Sequence, residues 1–162
     1  MISPVQVNSA EHHFAHAALR HYKDAVLLHD GARLSNADHH FGFAVECALK
    51  SLLLRFTTAT MGPKPNGKPA TKPWSMNPMT GAFQEHGHLP GLTTDVSLLT
   101  HGRSAASLTA ALAGLSAFAT WSVHDRYLDG SAVVEADVRQ RRTVAENILA
   151  LHEQALITGR MP

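Results

Sequence analysis

Apolar residues recur at helical spacing early in the chain and predict two long helices, over about residues 9–29 and 36–60. Gly31 separates the two patterns and supplies a stop for the first helix. The second pattern is apolar on nearly every side, which is typical of a helix at the centre of a bundle or half buried in an oligomer interface. Its main stripe consists of Phe41, Val45, Ala48, Leu52 and Phe56. Gly42 interrupts the pattern and indicates a close crossing with another segment.

Residues 62–90 break the helical pattern with six prolines, which exclude a continuous helix or a central strand, and predict a long mobile loop. Helical spacing returns over about 90–100, 104–121 and 132–158. On the last helix, two i,i+4 pairs are expected to lie in solvent, Glu135–Arg139 and Asp137–Arg141. No alternating run is long enough for a strand. The predicted fold is all-α, an up-and-down helical bundle of four to five helices with a long Pro-rich loop.

Composition favours one folded domain over residues 1–162, since 44% of the residues are hydrophobic and 17% are charged. The formal net charge of +1 provides no global basic field of the kind found in many nucleic-acid-binding proteins. The sole cysteine, Cys47, excludes an internal disulfide and a multi-cysteine zinc site. The first residues lack a signal-peptide pattern, and Ala105–Trp121 is too weakly apolar for a membrane span. We therefore expect a cytoplasmic protein with no membrane partner.

Three short motifs occur in the same order as in a known family of helical domains. Residues 36–50 are NADHHFGFAVECALK, residues 87–89 are GHL and residues 121–127 are WSVHDRY. They resemble A-G-Y-A-x-E-C-A-L-K, G-H-D-L and W-S-x-x-x-R-Y of one bacterial branch of the HEPN superfamily, with the aspartate of the second motif missing. The first helix, with HYKDA at 21–25, matches loosely. The resemblance spans about residues 14–155.

The HEPN resemblance implies a bundle of four or five helices, often a homodimer, so a homodimer is expected. Members of this superfamily occur in toxin–antitoxin, phage-defence and other RNA-centred systems. The motifs single out six residues with binding or structural roles: Glu46, Lys50, His88, Trp121, Arg126 and Tyr127. Glu46 and Lys50 would form a pair that fixes helix register, and Arg126 and Tyr127 would tie the late connection to the bundle.

Many HEPN proteins are metal-independent ribonucleases in which an R-x4-6-H motif brings arginine and histidine together across the dimer. Arg33 and His39 have this spacing here, with five residues between them. A neutral imidazole could take the 2′-hydroxyl proton while a guanidinium stabilises the charge on phosphorus. The family motif, however, usually lies late in the bundle, whereas Arg33 precedes the second helix. This position favours a loop arginine and a helix-entry histidine over a catalytic pair.

A basic stretch in the Pro-rich segment is a candidate for nucleic-acid contact. Lys64, Lys68 and Lys72 lie near Trp74, and mobile lysines beside an aromatic side chain can contact phosphates and stack on a base. A solvated, charged loop explains the same residues. The short histidine pairs, His12 with His16 and His86 with His88, have no third ligand at an obvious spacing, so no metal and no cofactor are predicted.

Three functions follow from these observations. The favoured one is a non-catalytic HEPN-like protein that binds a protein partner, a toxin or another component of a bacterial conflict system, as an antitoxin or immunity protein does. The second is a metal-independent HEPN endoribonuclease toxin that uses Arg33 and His39. Of the three functions, this is the one that would make the protein an enzyme. The third is an RNA- or nucleotide-binding module that uses the basic loop.

Overall fold

The computed structural model describes residues 9–100 and 106–162. These residues form five α-helices, one two-stranded antiparallel sheet and three 3₁₀ turns. The helices are α1 (Ala10–Asp30), α2 (Leu34–Phe56), α3 (Leu92–Asp95), α4 (Ala106–Ala113) and α5 (Glu135–Thr158). The strands are β1 (Trp74–Met76) and β2 (Phe83–Glu85), and the 3₁₀ turns are Val96–Thr100, Gly114–Phe118 and Val123–Tyr127.

Helix α2 is the centre of the hydrophobic core and packs against both α1 and α5. Phe41, Val45 and Leu52 are fully buried, as the apolar stripe predicts. Phe56 is only half buried because it is the last residue of the helix. The pattern predicted either a central helix or a helix half buried in an oligomer interface. The packing of α1 and α5 against α2 shows that α2 is a central helix.

Helices α1, α2 and α5 lie close to the predicted bounds, and the other predicted helices are shorter than expected. Helix α2 ends at Phe56 because Thr57 is extended, and the Thr57 hydroxyl and backbone N–H both donate to the Leu53 carbonyl. The helix predicted over 104–121 is α4 followed by the Gly114–Phe118 3₁₀ turn, and its first two residues lie outside the described residues. The mostly helical class is confirmed.

The prediction that the chain has no strand is wrong. In the Pro-rich segment, β1 pairs with β2, and Ser75 lies opposite Gln84. The prolines do not prevent this pairing because Pro73 and Pro78 flank β1 without occupying it. The Trp74 indole anchors the hairpin, since its Nε1 donates to the Gly62 carbonyl at 2.8 Å.

Residues 106–127 form a stretch that is long and apolar enough, by length and composition alone, to cross a membrane as a helix. The structure instead divides them among α4 and two 3₁₀ turns. Their largest apolar side chains, Leu108, Leu115, Phe118 and Trp121, are buried in the core. The packing of this stretch against α2 and α5 covers these four side chains, whereas most of the stretch is not buried.

Candidate functional site

One face of α2 brings together three of the residues singled out by the motifs. Glu46 and Lys50 form a buried ion pair, with 2.7 Å between Oε1 and Nζ. The Nδ1 of His88, which precedes α3, donates to the same Oε1 at 2.9 Å, and the Leu89 backbone N–H donates to Oε2 at 3.3 Å. Both carboxylate oxygens of Glu46 are therefore engaged.

The Glu46 cluster has the character of a structural link. Removing one member of a buried ion pair leaves an uncompensated charge, so such pairs hold elements in one arrangement even where they add little net stability. Here the link joins α2 to the segment that enters α3. Only His88 reaches solvent, and its side chain is 53% exposed.

Trp121 packs directly on α2 at Gly42, where the indole occupies the space that a Cβ would fill. Its Nε1 donates to the Asp38 carbonyl at 3.2 Å, and its ring stacks on the imidazole of His39 at 5.6 Å between centroids. The close crossing indicated by Gly42 is confirmed, and its partner is Trp121.

The remaining motif residues, Arg126 and Tyr127, lie at the surface at the end of the Val123–Tyr127 3₁₀ turn. The Arg126 guanidinium lies 4.8 Å from the centre of the Tyr127 ring. Burial lowers the pKa of His39, and the nearby positive charges of His40 and Arg126 lower it further. Arg126 is thus the arginine that contributes to the lowered pKa of His39.

The structure provides no close contact between Arg33 and His39. Arg33 is exposed at the N-cap of α2, and no side-chain hydrogen bond caps the helix there. Six residues along a helix correspond to about 120° around the axis and about 9 Å along it, so the two side chains point in different directions. His39 instead packs against Trp121 and Phe43.

Two of the three lysines proposed for nucleic-acid contact are engaged in ion pairs. Lys64 Nζ lies 2.6 Å from Glu85 Oε1, and Lys72 Nζ lies 3.5 Å from Glu85 Oε2. Lys68 is exposed and lies between them in the sequence. The Trp74 ring packs against Phe83 across the hairpin, at 5.4 Å between ring centres. The segment is consequently less cationic than its composition suggests.

A buried ion pair that sequence analysis missed connects the start of α2 to α5. Arg141 donates to Asp38 Oδ2 at 2.6 Å, to the Ala117 carbonyl at 2.9 Å and to Thr120 Oγ1 at 2.8 Å. Burial raises the pKa of Asp38, and Arg141 opposes this rise. The predicted solvent pair of Arg141 with Asp137 is therefore wrong, whereas the exposed pair Glu135–Arg139 is confirmed at 2.8 Å.

A second missed cluster links the hairpin to α3. Ser75 Oγ lies 2.9 Å from His86 Nε2, and His86 Nδ1 lies 3.0 Å from Asp95 Oδ2. This is the order of partners in a serine-hydrolase triad. Ser75 is only 5% exposed and His86 is fully buried, so the cluster lies in the interior and not in an open cleft. The cluster fixes the hairpin against α3.

A third buried group links all three long helices. His152 Nε2 lies 2.9 Å from Ser51 Oγ, and the Ser51 hydroxyl donates to Glu11 Oε1 at 3.2 Å. Because the only hydroxyl proton goes to Glu11, Nε2–H of His152 is the donor to Ser51. Burial lowers the pKa of His152.

The chain offers no reactive thiol and no metal centre in its described part. Burial raises the pKa of Cys47 to about 11, so its thiol stays protonated and is a poor nucleophile. Among residues 9–100 and 106–162, no three histidine, cysteine or acidic side chains are arranged to hold a metal ion. His86 and His88, which are separated by one residue, bind different carboxylates.

Comparison with models of known protein families gives no match, and neither the curated proteins nor the solved structures that were searched contain one.

Proposed function

We propose that this chain is a HEPN-like helical bundle that binds a protein partner in a bacterial conflict system, as an antitoxin or immunity protein does, and has no catalytic role. The convergence of Glu46, Lys50 and His88 supports the resemblance, because these residues come from two separate motifs and bind one another. Glu46 and Lys50 are buried, and both carboxylate oxygens of Glu46 are engaged within the chain.

The observation that carries partner binding is the exposed apolar surface next to the third motif. Tyr127, Leu128 and Val134 are 72%, 65% and 55% exposed. They line one cavity between the Val123–Tyr127 3₁₀ turn and the start of α5. Exposed aliphatic and aromatic side chains beside polar groups are typical of protein interfaces.

The test is capture of a partner with tagged protein from the source organism, after nuclease treatment, with protein and RNA both identified. Leu128→Ser should abolish capture of the specific partner, because it removes an apolar contact without disturbing the core. Ile157→Ser, a change at a site that is 78% exposed on α5, is the matched control and should retain it. Equal capture by both variants would contradict the proposal that this surface binds the partner.

A second candidate function is metal-independent RNA cleavage, and the observation in its favour is the lowered pKa of His39. Its lowered pKa favours a neutral imidazole that can accept a proton, and a guanidinium acts on it electrostatically. That guanidinium belongs to Arg126, so the ribonuclease hypothesis is tested at Arg126 as well as at the pair proposed from spacing, Arg33 with His39.

The decisive assay incubates purified protein with total RNA in EDTA. For a binding protein, no cleavage is expected. Cleavage that persists in Arg33→Ala but disappears in both His39→Ala and Arg126→Ala would establish the ribonuclease. Loss in Arg33→Ala as well would favour the original pair, arranged across a dimer.

We propose in addition that the protein is cytoplasmic and forms a homodimer. A groove of about 500 Å³ between α1 and α5, which includes the exposed Leu19, is available for a second copy. The test is the molecular mass by light scattering at tens of micromolar, where a monomer would contradict the dimer. RNA binding through the basic loop is less favoured because Glu85 engages Lys64 and Lys72.

A further inference from the structure

Helices α1 and α5 run antiparallel and border a groove of about 500 Å³. The Ser51 hydroxyl contacts both Glu11, at the start of α1, and His152, near the end of α5. At the opposite end of the pair, Arg142 of α5 donates to Asp30, the last residue of α1, at 2.7 Å. Within the described part of the chain, both walls of the groove come from these two helices. Such a pair has the shape of half an up-and-down four-helix bundle.

The groove combines an apolar lining with an exposed histidine on one wall and exposed glutamates on the other. Leu19 of α1, which is 49% exposed, and Leu149 of α5 contribute apolar side chains. His16 is exposed on the α1 wall, and Glu146 and Glu153 are exposed on the α5 wall. An imidazole N–H can donate to a carboxylate whether the ring is neutral or protonated. The α1 wall is therefore complementary to an α5 wall and not to a second α1 wall.

The complementary groups stand at nearly the same height along the groove. Burial and, after it, the negative charge of Glu146 raise the pKa of Tyr22, so these two groups lie near one level. At about 1.5 Å per residue, His16 lies about 9 Å from that level towards the start of α1, and Glu153 lies about 10.5 Å from it towards the end of α5. Because the helices are antiparallel, these two directions are the same.

A two-fold axis parallel to the helices would place α1 of each copy over α5 of the other and leave the height along the groove unchanged. His16 of each copy would then face Glu153 of the other, and Leu19 would face Leu149. Each α1 would lie antiparallel to both α5 helices, as neighbours do in an up-and-down four-helix bundle. A two-fold axis across the helices would instead place α1 on α1, with histidine facing histidine.

We propose that a second copy of this chain packs on the α1–α5 groove about a two-fold axis parallel to these helices, with the histidine wall of each copy on the glutamate wall of the other. The inference rests on the homodimer proposed above and assigns the face and the axis of that dimer. The groove extends over residues 12–22 of α1, a length of about 15 Å, so the interface is small and the dimer is expected to dissociate in the micromolar range.

The first experiment measures the dimer dissociation constant of the purified chain by sedimentation velocity, at concentrations up to hundreds of micromolar. Leu19→Ser should raise this constant at least tenfold, because the two-fold axis removes the apolar contact from both halves of the interface at once. Leu27→Ser is the matched control on the same helix. Leu27 is 74% exposed and lies outside the groove, so the dissociation constant should not change.

The second experiment exchanges charges between copies and tests the axis. His16→Glu should raise the dissociation constant about tenfold, because it places carboxylates opposite each other in both halves of the interface. Mixing this variant with Glu153→Lys should restore a mixed dimer at least as tight as the unmodified one, since the introduced carboxylate of one chain meets the introduced ammonium of the other. Mixing it with Glu135→Lys, a change on α5 outside the groove, should not restore the affinity.

The outcomes separate this face from the homodimer itself. A dimer with equal dissociation constants for Leu19→Ser and Leu27→Ser, or with equal rescue by Glu153→Lys and Glu135→Lys, would overturn the proposed face and axis and leave the homodimer standing. A monomer at every concentration would overturn both. Partner capture is tested at Leu128, outside this groove, so its result is independent of these measurements.

Discussion

Gly42→Ala should destabilise the protein, although alanine is the better helix former. The added methyl group would overlap Cε2, Cζ2 and Nε1 of the Trp121 indole. The indole cannot move without losing its hydrogen bond to the Asp38 carbonyl and its stacking on His39. The substitution therefore acts on the contact between α2 and the third motif.

Three terms set the magnitude. Overpacking a core costs about 1–3 kcal/mol. Displacing Trp121 adds part of the roughly 3–5 kcal/mol that complete loss of a buried aromatic side chain costs. Replacing glycine by alanine within a helix returns about 1 kcal/mol. The free energy of unfolding should fall by about 2–4 kcal/mol, a large part of the usual 5–15 kcal/mol.

The assay is urea unfolding followed by circular dichroism. Gly114→Ala is the matched control, because its new Cβ would lie 3.4 Å from Val144, an ordinary contact distance, and should change stability by less than about 1 kcal/mol. In a Trp121→Phe background, Gly42→Ala should cost less, since the overlapping atoms are gone. Equal effects of Gly42→Ala and Gly114→Ala would refute the reasoning.

Three further predictions concern the core, the buried histidines and the hairpin. Leu52→Ala, at a fully buried site, should cost about 2–5 kcal/mol by urea unfolding, and a loss below about 0.5 kcal/mol would contradict its placement. The pKa of His152 is lowered in the folded protein, so the unfolded chain takes up a proton at higher pH and the free energy of unfolding should fall as the pH drops below about 6.5. His152→Ala should make stability less dependent on pH in urea unfolding at several pH values. His13→Ala, a change at an exposed histidine, should leave the pH dependence unchanged. His86→Ala should speed tryptic cleavage near Lys68, because it removes the side chain that links Ser75 to Asp95. His124→Ala, the control, should not change the cleavage rate. Rapid cleavage of the unmodified chain near Lys68 would instead support the predicted mobile loop.

The long helices could be predicted from sequence because their apolar residues repeat every three or four positions over many turns. The Glu46–Lys50 pair could also be predicted, since both residues lie on one helix at i,i+4. Gly42 also gave a usable signal, because a glycine inside a helix is costly unless something packs against it. Local spacing was sufficient in each of these cases.

The long-range partners could not be predicted in this way. Arg141 has Asp137 one turn before it, and the pattern favoured that local pair over Asp38, which is 103 residues away. His86 and His88 looked like a pair because they are close in sequence, yet they bind carboxylates of different elements. The hairpin was missed because three-residue strands are too short to show an alternating pattern.

Two buried carboxylates on the same helix differ in how completely they are paired. Glu46 accepts three hydrogen bonds, from Lys50, His88 and the Leu89 backbone, so neither of its oxygens needs anything further. Asp38 is equally buried, but Arg141 engages only its Oδ2, and its Oδ1 accepts no hydrogen bond from the described residues. Since an unpaired buried oxygen costs about 1–3 kcal/mol, the fold tolerates at Asp38 a cost that it avoids at Glu46.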